Sequence, residues 1–187
     1  KNMLDDGLVL YLPFEEGSGT KVYDYSNYGN TGTLYNGSVS CYDGDCPTWT
    51  TGKFGKALSF DGVDDYVHTS NELPTGTHSF TVSAWIYRYS EKTDDDSILI
   101  NDKGGGNNKH LHIVIRNNKP YFGFYANDLP GKTYISKNKW WFLAFTYDYE
   151  NNIRRIYVNA NLDAEDNPSS PLLDDIIADI GGGRWPY

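Results

Sequence analysis

The plainest pattern in the chain is alternation. In Phe80–Tyr87, Phe80, Val82, Ala84 and Ile86 alternate with Thr81, Ser83, Trp85 and Tyr87. A period of two belongs to a strand with one buried face. The first set is predicted to face the core and the second to face outward. Residues 110–116 repeat the pattern, with Leu111, Ile113 and Ile115 in and His110, His112 and Arg116 out. Residues 120–125 follow across the turn Asn117-Asn118, Tyr121, Gly123 and Tyr125 sharing one face and Phe122 and Phe124 the other. Trp140–Asp148 is predicted to pair with residues 153–159 across an acidic, Asn-rich tip. The stretch KFGKALSFDGVDDYV, residues 53–67, reads as strand, tight turn at Asp61-Gly62, strand, and locally as an ordinary hairpin. Residues 8–14 form an apolar run closed by Pro13 and Glu15-Glu16, read as a buried strand near a sheet edge. Residues 172–180 read either as a short strand or as a helical turn. No long helix, repeat or linker is required, so residues 1–187 are expected to form one all-β sandwich domain.

Composition narrows the function. The net charge is −9, which repels nucleic-acid phosphates, and no basic run compensates. No apolar run approaches the ~20 residues of a membrane span. The opening KNMLDDG is not a signal peptide, so any targeting segment is expected to have been removed or to lie outside these residues. Aromatics are 16% of the chain and tyrosine alone numbers 16, which suits pleated surfaces and sugar or protein contacts. Cys41 and Cys46 stand in CYDGDC, which is not a CxxC motif. A disulfide is preferred over two unpaired thiols and implies an oxidising, extracellular or cell-surface setting. Asn36-Gly37-Ser38 fits a glycosylation acceptor.

Candidate chemistry is sparse. There is no G-x-S-x-G elbow. Asp94-Asp95-Asp96 falls in a predicted loop, where consecutive carboxylates do not share a face as glycosidase pairs must. The protein is therefore expected not to be an enzyme. KGGGNNK lacks the context of a phosphate loop. His110 and His112 lie two apart on one strand face and could seat a metal, but no third ligand is evident. Trp85, Tyr87, His110, His112, Tyr121 and Tyr125 are expected on an outward face, as platforms for sugar rings with polar neighbours. The alternative is that these rings cover the sheet or form a protein interface. Residues 24–37 form a loop holding Asp24, Ser26, Asn27 and Asn30, which suits either an oxygen-ligated cation or a set of Asx turns.

GKALSFDGVDDYV resembles the signature of laminin-G-like jelly-roll domains, within the concanavalin A-like lectin/glucanase superfamily. LVLYLPFEEGSG, DYSNYGNTGT, FTVSAWI, WWFLAFTYD, IYVN and IGG are similar to further blocks of that family, in its order and across nearly the whole chain. The resemblance implies a jelly-roll sandwich of two antiparallel sheets and a carbohydrate-recognition or adhesion module binding a glycan or a surface protein. It also implies a structural calcium (Ca2+) where the loop meets the SFDG turn, pointing to Asp24, and less directly to Asn27, Asn30 and Asp61. Two departures stand out. Asn159-Ala160 replaces the usual Asn-Gly turn, and alanine resists positive φ, so a different turn type is expected. The given residues end at GGGRWPY, before the family's closing strand, so either that strand lies beyond them or another chain supplies it, and without it an open backbone row is expected on residues 8–14. That row suggests a second function, a structural subunit of a surface assembly completed by self-assembly or by a strand-donating partner.

Overall fold

The computed structural model describes residues 6–42, 46–91, 94–101 and 106–182. In chain order the strands are β1 (Lys21–Val22), β2 (Gly32–Asn36), β3 (Val39–Ser40), β4 (Thr48–Thr51) and β5 (Lys56–Ser59). Next come β6 (Asp65–Thr69), β7 (Phe80–Tyr87), β8 (Asp96–Asn101), β9 (His112–Arg116) and β10 (Lys119–Gly123). The last are β11 (Asp128–Pro130), β12 (Trp140–Asp148), β13 (Ile153–Val158), β14 (Asn161–Asp166) and β15 (Ala178–Ile180). A nine-stranded sheet runs β1-β2-β6-β15-β8-β9-β10-β11, with β3 beside β2. A four-stranded sheet runs β14-β13-β12-β7, and β4-β5 forms a small third ribbon. All these pairings are antiparallel, and the fold is the all-β jelly roll expected from the alternation.

The main core lies between the two large sheets. Ile113, Ile115 and Phe122 meet Leu143, Phe145 and Ile156, and all are essentially inaccessible. Phe80, Val82, Ala84 and Ile86 face this core as their spacing predicts, yet all four are only partly buried. A second cluster gathers Val22, Leu34, Cys41 and Val67. Cys41 and Cys46 are disulfide-bonded, as preferred from the sequence. Residues 178–180 settle as a strand rather than a helical turn.

Three expectations need correction. Residues 53–67 are not a hairpin: β5 pairs with β4, whereas β6 pairs with β2 and β15. The Asp61 carboxylate accepts the amides of Val63 and Asp64 at 2.8 and 3.3 Å, forming an Asx turn that carries the chain between sheets. The long-range pairing buries Val67 against Val22 and Leu34. Residues 8–14 join no ladder among the described residues. Val9 and Leu10 pack on the main core and Leu12 and Phe14 on the second cluster. Their backbone is tied down by the loop after β1 instead, through Tyr11 N to Asp24 (2.9 Å), Tyr25 N to Tyr11 O (2.9 Å) and Asn30 Nδ2 to Val9 O (3.1 Å). Finally, Asn159 and Ala160 take φ of 49° and 65°, both left-handed, despite the alanine. The connection between β13 and β14 has two residues, and such hairpins favour this mirror-image turn, whose twist matches the strands. Asn159 holds it in place by accepting the Phe142 amide at 3.0 Å.

Candidate functional site

The outer face of the nine-stranded sheet carries a row of side chains set by register. Thr33 pairs with His68, His68 with Asp179, Asp179 with Ile100, Ile100 with His112, His112 with Gly123, and Gly123 with Asp128. Cross-strand partners lie on one face, so this row crosses most of the sheet on the side away from the core. His68 Nδ1 lies 2.8 Å from Asp179 Oδ1. His112 Nε2 lies 3.3 Å from Asp128 Oδ1. Gly123 makes the second contact possible, since a Cβ there would collide with the His112 ring and with Asp128.

Arg116 closes the lower end. Its guanidinium binds Asp95 through two 2.7 Å bonds, reaches Asp128 Oδ2 at 3.6 Å and stacks 4.9 Å from the Tyr121 ring. The Asp95 bonds come first among the causes that hold Arg116 above its ordinary range. Burial alone would raise the Asp128 pKa; the His112 contact and the charges of His112, Arg116 and Arg154 together outweigh it, and the carboxyl lies below its usual range. At the upper end Tyr125 meets His110 edge-on at 6.3 Å, and His110 meets His112 at 6.1 Å. Tyr125 and Ala126 both have positive φ, 61° and 55°, in the turn from β10 to β11. Non-glycine residues there carry strain of about 1–3 kcal/mol each. The strain holds an aromatic ring, 48% exposed, beside the buried histidines.

Four predicted site residues, His110, His112, Tyr121 and Tyr125, are therefore brought together. Both histidines point away from the core as predicted, but they are buried at 4% exposure rather than displayed. Trp85 and Tyr87 are not with them. They lie on the outer face of the four-stranded sheet, in an aromatic patch with Phe54, Phe142 and Trp140. Alternation shows that a residue points outward, not which sheet it points from. Arg116 was read only as outward-facing and Asp95 only within an acidic loop, while Asp128, His68, Asp179 and the stacked pair Tyr35–Tyr66, 5.1 Å apart, were not singled out from the sequence. The glycine opposite His112 was the available signal for Asp128.

The calcium candidates separate. Asp24 Oδ1 accepts the amides of Tyr11 and Ser26, and Oδ2 accepts the Asn30 amide and the Ser26 hydroxyl, at 2.7 to 2.9 Å. Burial opposes the charged carboxylate, but those bonds outweigh it and lower the Asp24 pKa. Four donors fill a carboxylate's lone-pair positions. Asn27 is exposed, and Asp61 serves its own turn. Asn30 is buried, and its Oδ1 has no hydrogen-bond partner within the protein. Among the described residues no three His, Cys, Asp or Glu side chains gather as a metal cluster.

A family model described as the concanavalin A-like lectin/glucanases superfamily, Laminin_G_3, matches residues 61–186. The chain belongs to this superfamily. No curated protein matches it by sequence. Among solved structures it is similar to domain 4 of AbnA, a GH43 extracellular arabinanase from Geobacillus stearothermophilus, in complex with arabinotriose. That likeness has a TM-score of 0.66 and 19% identity, over 87% of this chain and 79% of the other. It is also similar to the binding domain of botulinum neurotoxin DC in complex with SialylT, at TM-score 0.65 and 19% identity over 97% of this chain. It covers 44% of that toxin chain. At such identities the likeness is one of fold, and it places this lectin-superfamily chain beside jelly-roll carbohydrate-binding domains.

Proposed function

We propose that this lectin-superfamily domain is a non-catalytic, extracellular carbohydrate-recognition module whose glycan lies on the outer face of the nine-stranded sheet. One observation carries the reading. His112 Nδ1 is buried without a hydrogen-bond partner in the protein, while Nε2 and Asp128 Oδ1 meet each other at 3.3 Å, beside the Gly123 that Tyr121 and Tyr125 flank. Buried polar atoms are normally satisfied, and sugar hydroxyls both donate and accept. Tyrosine rings offer the flat apolar surface that sugar C–H groups pack on. The superfamily neighbours bound to arabinotriose and SialylT support a glycan as the ligand class. The Cys41–Cys46 bond supports an oxidising location. Catalysis at this face is disfavoured because, of its described carboxylates, Asp95 and Asp128 both face Arg116 and Asp179 faces His68.

The test is a glycan array followed by titration of the best ligand. Tyr125→Ala and Tyr121→Ala are expected to weaken binding by about three- to tenfold, with Trp85→Ala unchanged. Loss on Trp85→Ala alone would move the site to the four-stranded sheet, and turnover of the bound glycan would overturn the non-catalytic reading.

A structural calcium belongs to the same proposal. Its support is the resemblance together with the unpartnered Asn30 Oδ1 in the Asp24 loop. EDTA is expected to lower the melting temperature and added calcium to restore it; an unchanged melt counts against the ion. The second reading is a subunit of a surface assembly joined by a donated strand; its support is that β7 has one strand neighbour among the described residues.

A further inference from the structure

We propose that the outer face of the four-stranded sheet holds a second sugar site, built around Trp85 and Lys53, for a carboxylate-bearing sugar unit. The inference goes beyond the glycan site on the nine-stranded sheet and stands or falls apart from it.

Register builds the floor and wall of the site. Trp85 pairs with Phe142 across β7 and β12, and their rings meet at 5.3 Å. The next row along the outer face is Ser83, Ala144 and Tyr157, and the one after it is Thr81, Thr146 and Arg155. Cross-strand partners share a face, so small side chains lie directly beside the two large rings. The face therefore steps down from an aromatic wall to a low floor, with Tyr157 on the β13 side. The floor carries the hydroxyls of Ser83, Thr81 and Thr146, which bond no other protein group among the described residues. Ser83 and Thr81 are exposed, and Trp85 is 42% exposed.

The β4–β5 ribbon supplies the charge. The Gly52 amide donates to Gly55 O at 3.0 Å and closes a tight turn with Lys53 and Phe54 at its tip. Phe54 meets Trp85 edge-on at 5.8 Å, and Lys53 Nζ lies 5.4 Å from the centre of the Trp85 ring and 5.9 Å from that of Phe54. An ammonium over exposed rings keeps its N–H donors in water. Arg88, Arg116, Arg154 and Arg155 are each ion-paired, whereas no described carboxylate pairs with Lys53. Glu15, the carboxylate that reaches this ribbon, accepts the Lys56 amide at 3.1 Å. In a chain of net charge −9, an unpaired cation set on an exposed aromatic patch selects an anion at that point, while the whole molecule repels a polyanion such as nucleic acid. The rest of the surface selects a sugar. A pyranose packs its C–H face on Trp85, exchanges hydrogen bonds between its hydroxyls and those of Ser83, Thr81 and Thr146, and turns its carboxylate to Lys53.

The probe is trigalacturonate, titrated into the whole chain beside its neutral counterpart galactotriose and a capped glutamate tripeptide. Trigalacturonate is expected to bind most tightly. Lys53→Gln, on an exposed turn, is expected to weaken it by about fivefold, to the galactotriose level, and Lys53→Arg to retain it. Trp85→Ala is expected to weaken it by about tenfold, and Trp85→Tyr, which keeps a ring, by clearly less. Should Trp85→Ala melt early, the two Lys53 variants still decide the outcome. Tyr121→Ala is expected to leave trigalacturonate binding unchanged, which separates the two sites. Loss on Tyr121→Ala with Trp85→Ala unaffected overturns the second site and leaves the first standing. Wild-type binding of galactotriose or of the glutamate tripeptide as tight as that of trigalacturonate overturns the acidic sugar as ligand. No binding of trigalacturonate overturns the inference, whatever the nine-stranded sheet binds.

Discussion

Arg154 shows what a single residue does here that its type does not announce. It is wholly buried on β13 among the apolar positions Ile156 and Val158. Its guanidinium binds Asp166 through bonds of 3.1 and 2.7 Å, donates to Asn127 O at 2.7 Å and lies 4.8 Å from the Phe124 ring. It links the four-stranded sheet to the turn that carries Tyr125. Removing one partner of a buried ion pair costs more than replacing the whole pair. Arg154→Ala is therefore expected to cost about 3 kcal/mol in denaturant unfolding, and Arg154→Met, which keeps the packing, clearly less. An equal loss in the two variants would assign the effect to the lost ion pair alone. Nothing in the sequence marks Arg154, because its phase matters only once β14 supplies Asp166.

Among elements, the strands were legible and their partners were not. Asn117-Asn118 was read as a hairpin turn and is one, with φ of 50° and 61°. Asn159-Ala160 was expected to avoid that geometry and adopts it, because the pairing of β13 with β14 outweighs one residue's preference. An L-residue in the left-handed region costs on the order of 1 kcal/mol. Ala160→Gly is expected to raise stability by about that amount, measured by denaturant melts; destabilisation would show that the alanine is not strained. The stretch 53–67 carries the same lesson. Its two halves look like neighbours in sequence, yet β5 and β6 enter different sheets because burying Val67 requires β2.

At the scale of the whole molecule, acid sensitivity is shared by two distant carboxylates. Asp24 ties residues 8–14 to the loop after β1, and Asp128 joins β11 to His112 and Arg116. Both have pKa values below the ordinary carboxylate range in the folded protein. The unfolded chain therefore takes up protons first as pH falls. The stability they contribute is present at neutral pH and is lost below about pH 4, through their folded pKa values. Thermal melts of Asp24→Asn and Asp128→Asn should differ from wild type at pH 7 and converge toward it near pH 3; a constant offset would remove the linkage. By itself, the sequence determined that the chain alternates and which side chains turn inward along strands such as β7 and β9, and it pointed to the Cys41–Cys46 bond and the superfamily. Tertiary structure decided which sheet each strand joined, and with it the grouping of His112, Asp128, Tyr121 and Tyr125 apart from Trp85. The physical reason is range. Side-chain period is set within a few residues, whereas a strand's backbone accepts almost any partner, and the choice is made by burial and hydrogen bonding between segments such as Thr69 and Ala178, 109 positions apart.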